Sequence, residues 1–164
     1  MQEISTLSFV IEPPVERAQY LSVIPVVNGV RLTKLVESYD LKIGNLPAGG
    51  FAGLVRRSLN FGAWDQYFMA ETPSRQIQRT GVWLLGCICG EVSCWSLVAR
   101  IVRNEELIIW DCFRQPNKPE RDYSSFGPFR FGIDQYRQTV VELASADPPK
   151  RFGLSLVKFL TGSS

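Results

Sequence analysis

Residues 81–113, GVWLLGCICGEVSCWSLVARIVRNEELIIWDCF, decide the fold: they carry all four cysteines and read as three successive antiparallel strands. The spacing predicts strands at 82–89, 94–103 and 106–113, joined by residues 90–93 and by Asn104-Glu105. Side chains alternate faces along a strand, so each loop length sets which residues share a side. A four-residue first loop puts Cys89 opposite Cys94, Cys87 opposite Ser96 and Trp83 opposite Arg100. A two-residue second loop puts Leu97 opposite Cys112, Ala99 opposite Trp110 and Ile101 opposite Ile108. One face then carries Val82, Leu84, Trp95, Leu97, Ile108, Trp110 and Cys112, with charge only in the Arg103–Glu106 pair at its end. The other carries Trp83, Leu85, Cys87, Cys89, Cys94, Val98 and Phe113, with Arg100 diagonally across from Asp111. Both faces are more apolar than a solvated face, so both are expected to be at least partly covered.

Working back toward the N-terminus, residues 5–11 read as a first strand, ended by Glu12-Pro13-Pro14. Residues 21–27 and 30–36 flank Asn28-Gly29, a hairpin signal, because both central positions of a type I′ turn need positive φ. Pro25 removes a ladder donor, so this pairing is expected to be short or at a sheet edge. Ile24 and Val26 are expected on its more exposed face. Residues 39–80 are the least legible. Within them 51–59 reads as a short helix and 64–70 as a helical turn with Trp64, Tyr67 and Phe68 on one side. GGFAG at 49–53 lacks the Gly-Lys-Ser/Thr of a phosphate loop.

Toward the C-terminus, residues 133–146 read as an amphipathic helix with Tyr136, Val140, Leu143 and Ala144 on one stripe, Gly132 at the N-cap and Asp134 in the first turn. It is expected to cover the sheet. Before it lies a polar, proline-stiffened loop at 114–131, RQPNKPERDYSSFGPFR, framed by aromatic residues. The tail at 152–160 reads as a further strand or turn. The expected fold class is therefore α+β: a mostly antiparallel sheet in one domain of 164 residues, with the N-terminal strands at about 5–36 and a C-terminal helix packed on it.

Composition narrows the chemistry. Hydrophobic residues make up 45% and charged residues 21%, the balance of a globular chain. The net charge of +2 gives no broad electrostatic footprint for nucleic acid. No run is long enough for a membrane helix and the N-terminus lacks the pattern of a signal peptide, so a cytoplasmic, reducing location is expected. There is no histidine, which removes Ser-His-Asp and Cys-His catalysis and every imidazole metal ligand.

The string C-x-C-G-E-x-x-C-W-x-L (Cys87, Cys89, Gly90, Glu91, Cys94, Trp95, Leu97) is followed by W-x-x-F-R-Q-P (Trp110, Phe113, Arg114, Gln115, Pro116). D-Y-x-x-x-G-P-F-x-F (Asp122, Tyr123, Gly127, Pro128, Phe129, Phe131) completes it. Over roughly the second half of the chain this resembles a family of small uncharacterised bacterial proteins. The resemblance implies a bacterial origin and brings no activity with it. Where the family often has a histidine after the Gln-Pro pair, this chain has Asn117, and Cys112 lies outside the pattern. The first departure argues against a His-dependent site and the second against a four-thiolate one.

Two functional readings follow. The leading one is a non-catalytic binding protein that contacts another protein or a small ligand through the 114–131 loop, with Arg114, Gln115, Asn117, Asp122, Tyr123 and Trp64 as surface contacts and no cofactor. Glu91, Asp111 and Asp122 are carboxylates that no defensible spacing brings together, so no catalytic residue is assigned. The alternative is a zinc-binding or thiol-redox protein using Cys87, Cys89 and Cys94. Against zinc, C-x-C on an extended strand holds its sulfurs apart and Cys112 faces the other side. Against redox, no C-x-x-C is present, although Cys89 and Cys94 lie directly across from each other.

Overall fold

A computed structural model of the chain describes residues 3–12, 21–55, 62–71, 79–89 and 94–147. The chain is α+β, and the strands of the described residues are mostly antiparallel and gathered into two sheets. The tail at 152–160 lies outside the described residues, as do residues 56–59 of the expected helix at 51–59.

The expected first strand divides between the two sheets. β1 (Ile4–Ser5) runs parallel to β10 (Phe129–Gly132), whereas β2 (Leu7–Glu12) pairs antiparallel with β3 (Ser22–Val27). Thr6 is the point of transfer, and Asn28 holds it there. Its side-chain Oδ1 accepts the Thr6 N–H at 2.9 Å and its own N–H donates to the Thr6 carbonyl at 3.0 Å. The same Asn28, with φ 52°, forms the expected tight turn with Gly29, φ 80°, and Val27 faces Val30 across it.

The strand expected at 30–36 stops after β4 (Val30–Arg31), and the chain enters α1 (Leu32–Ile43). Leu32, Val36 and Asp40 recur every fourth residue and are buried, with Leu35 and Tyr39 packed beside them. That helical period outweighs the β-branched residues that suggested a strand. Pro25 explains the short pairing. In a two-residue hairpin Val27 and Val30 form the hydrogen-bonded pair, so Val23 and Pro25 direct their amide positions to the same side. On that side β4 reaches only Val26 and Val27, while β6 (Leu54–Val55) pairs with Ser22 and Val23, so Pro25 occupies the gap. β3 is buried along its whole length, so Ile24 and Val26 lie inside rather than on an exposed face.

Residues 51–55 are extended and not helical. β5 (Phe51–Ala52) pairs with Cys87 and Gly86 of β7 (Val82–Cys87), and β6 pairs with β3, so this segment links the sheets. Gly53, between them, passes so close to β3 that an added Cβ would sit 2.7 Å from Ile24 and 2.9 Å from the Val23 carbonyl oxygen. α2 (Trp64–Phe68) forms where the aromatic spacing predicted it, with Trp64, Tyr67 and Phe68 buried together.

The larger sheet runs β1-β10-β9-β8-β7-β5, with β8 (Leu97–Arg103) and β9 (Leu107–Arg114) completing the meander. The three strands form, but β7 stops at Cys87 rather than 89 and β8 begins at Leu97 rather than 94, and the registers differ. Trp83 faces Val98 rather than Arg100, and Ile101 faces Trp110 rather than Ile108. A wider second turn moves Arg100 directly opposite Asp111. Between Asp111 and Arg114, β9 spends two residues, Cys112 and Phe113, against the single Ala99, with Cys112 at φ 51°. This bulge reverses the faces beyond it. Phe113 joins Trp110 and Ile108 in the core, and Cys112, expected there, is exposed.

α3 (Ile133–Ala146) has the expected bounds, with Tyr136, Val140 and Leu143 buried. Burying a Val or Leu side chain contributes about 1.5–3 kcal/mol. Tyr136 is satisfied on both sides: its hydroxyl accepts from Trp110 Nε1 at 3.0 Å and donates to the Phe68 carbonyl at 2.6 Å. Gln135 grips β2 like a strand edge, accepting the Leu7 N–H at 3.1 Å and donating to its carbonyl at 2.7 Å. Among the described residues no helix is long and apolar enough to cross a membrane.

Candidate metal centre

The β7 ladder ends at Cys87, and Ile88-Cys89 turn away instead of extending it. The expectation that C-x-C keeps its sulfurs apart assumed a strand to residue 89; the turn removes that separation. Cys94 comes in from the other side of the connection, three residues before β8. The sulfurs of Cys87, Cys89 and Cys94 all lie within 4.8 Å of one another. Cys87 is half-buried and accepts the Cys89 backbone N–H at 3.4 Å, while Cys89 and Cys94 are exposed. Cys112, on the β9 bulge, is not a member of the group. Glu91, between Cys89 and Cys94, lies outside the described residues.

Burial pushes the Cys87 thiol up to about 12, and hydrogen bonds with the Cys89 and Cys94 sulfurs reinforce the neutral form. A bound cation would reverse that preference, since it takes the place of the proton and draws thiolates toward itself. Zn–S bonds are about 2.3 Å, which gives a tetrahedral S···S edge of about 3.8 Å. The three sulfurs are within a small side-chain adjustment of that spacing. Three thiolates fit Zn²⁺ or a softer ion and leave a fourth position for water or an exogenous ligand.

The turn is braced from beneath. The Ile88 N–H donates to the Gly50 carbonyl at 3.4 Å, and Trp95 Nε1 donates to the Gly49 carbonyl at 2.8 Å. The Arg121 guanidinium lies 4.8 Å above the Trp95 ring. Arg121 is itself fixed by Asp40 at 3.0 Å, by the Pro47 carbonyl at 3.1 Å and by the Tyr123 hydroxyl. Asp40 also accepts the Gly49 N–H at 3.0 Å. This buried pair therefore ties α1, the 45–50 loop and the 115–123 loop around the indole that follows Cys94. A groove of about 290 Å³ opens beside it, lined by Leu46, Pro47, Trp95, Lys118, Glu120 and Arg121 among others.

The six residues expected to form a binding surface part company. Trp64, Gln115 and Tyr123 are buried to 2%, 1% and 2% exposure, so they cannot be surface contacts as expected. Trp64 donates to Asp147 at 2.7 Å within the aromatic cluster of α2, and Tyr123 packs against Tyr39 and Phe126. The helical spacing of Trp64 with Tyr67 and Phe68 points to core packing, and the structure buries all three, against the placing of Trp64 among the surface contacts. Arg114 is exposed, but its guanidinium donates to the carbonyls of Arg79 and Thr80 at 3.1 and 2.6 Å. Asp122 and Asn117 are exposed. The Asp122 carboxyl accepts the Ser124 N–H, and hydrogen bonds from Ser124 hold it below the ordinary carboxylate range. The Arg121–Asp40 pair carries no local signal in the sequence, because it spans 81 residues.

No family model, no curated protein and no solved structure matches the chain.

Proposed function

We propose that Cys87, Cys89 and Cys94 hold one thiophilic divalent cation, zinc first among them, and that the protein is a non-catalytic metal-thiolate module. The observation that supports this most is the gathering of three sulfurs, from both flanks of one connection, within 4.8 Å. A bound ion would pin the end of β7 to the segment leading into β8, which structural zinc does in other folds. Thiolates of this kind persist in a reducing compartment, in keeping with a cytoplasmic location. The test is metal analysis of protein expressed in zinc-supplemented medium. One zinc per chain is expected, lost in Cys87→Ser, Cys89→Ser and Cys94→Ser and kept in Cys112→Ser. Metal-free protein after such expression, or equal loss in Cys112→Ser, removes the proposal.

A second reading rests on the groove beside Trp95. It draws Lys118, Glu120 and Arg121 from the 114–131 loop, and the exposed Leu46 stands on its rim. This narrows the binding-protein reading to a different set of residues on the same loop. Lys118→Ala/Leu46→Ala is expected to weaken capture of a native partner. Equal recovery of partners by both proteins would discard it.

A further inference from the structure

Structural metal-thiolate centres are usually buried, yet two of these three sulfurs are exposed, on either flank of one short connection. Cys87 differs from them: it is half-buried, paired with Phe51 in the β5–β7 ladder and bonded to the Cys89 N–H. Resting on the metal reading, we propose that this centre is a peroxide-responsive redox switch, in which Cys89 and Cys94 close a disulfide and expel the ion.

Metal coordination keeps both sulfurs as thiolates, the nucleophilic form. The Cys89 thiolate attacks one peroxide oxygen, the O–O bond breaks, hydroxide leaves, and a sulfenic acid forms. The Cys94 thiolate attacks that sulfur, forming the S–S bond and releasing a second hydroxide. Two electrons pass from the sulfurs to hydrogen peroxide, and two protons from solvent turn the hydroxides into water. The ion keeps only Cys87 of its three protein ligands and dissociates. A dithiol reductant reverses the change and restores the site.

Zinc-loaded protein treated with one equivalent of hydrogen peroxide, in the presence of a zinc-sensitive dye, is expected to release one zinc per chain. Its mass should fall by about two hydrogens, with a Cys89–Cys94 linked peptide and recovery on adding dithiothreitol and zinc. Cys112→Ser should behave the same. Zinc retained with thiols unchanged, oxidation to sulfinic acid without a disulfide, or a disulfide through Cys87 or Cys112 would each overturn the proposal. The disulfide is also read in Cys87→Ser without added metal, where it should still form. Protein that never binds zinc but forms this disulfide discards the metal reading and the expulsion step, while leaving the thiol pairing intact.

Discussion

Two arginine–aspartate pairs sit at opposite ends of the burial scale. Arg121 and Asp40 meet at 3.0 Å with side chains 6% and 0% exposed, whereas Arg100 and Asp111 meet at 2.7 Å with side chains 61% and 25% exposed. The exposed pair is the shorter and is doubly hydrogen-bonded, yet water and salt screen it. The buried pair has no such screening, and each partner depends on the other to remain tolerable inside. Distance alone would rank them the wrong way round. The buried pair also organises its surroundings, because Arg121 covers Trp95 and Asp40 anchors Gly49.

The sharpest way to break this contrast is Arg121→Ala. It strands a buried carboxylate, and urea denaturation should show a loss of about 3–5 kcal/mol. If the pair also positions the thiol turn through Trp95, zinc affinity in that variant should fall roughly tenfold, while Arg100→Ala leaves it unchanged. Equal zinc affinities in the two variants would confine the buried pair to stability.

Gln115 offers the opposite case, a fully buried amide whose nitrogen and oxygen have no hydrogen-bond partner among the described residues. Gln115→Met keeps the volume and removes the unmet polarity, so it should stabilise by about 1–3 kcal/mol. A destabilised variant would mean that the amide has work the structure does not display.

Arg100→Ala should be the mildest of the three, with Tm moving by no more than about 2 °C and less at high salt. Its pH signature is more telling. The Arg100 hydrogen bonds hold the Asp111 carboxyl below its ordinary value of 3.8. A depressed carboxyl contributes stability above its unfolded value and loses it as pH falls through the folded one. Asp111→Asn should therefore flatten part of the stability decline below about pH 4. An unchanged acid limb would show that this pair adds nothing.

The same two pairs mark what a sequence can disclose. Arg100–Asp111 was readable because both residues lie in adjacent strands of one meander, even though the register was displaced. The displacement of that pair came from the wider second turn, and the bulges at Cys112-Phe113 and beside Leu84 shifted the residues beyond them, because an extra residue breaks simple alternation. Asn28-Gly29 and α3 were legible for the same local reason: turn chemistry and a clean 3.6-residue stripe. α1 was missed although its spacing was present, because valines after a hairpin turn look like a returning strand. The convergence of Cys87, Cys89 and Cys94 depended on where β7 stops, which alternation does not reveal. Arg121–Asp40 could not be read at all, since only the finished tertiary structure brings them together.

The Gln135 clasp on Leu7 has a bearing on how the molecule is made. Leu7 takes its final partner from a residue 128 positions later, and β1 waits likewise for Arg130 and Phe131. The β2–β3 hairpin can close early on the ribosome, but its edge stays uncapped until α3 has cleared the exit tunnel. Such long-range closure favours slow completion of the fold.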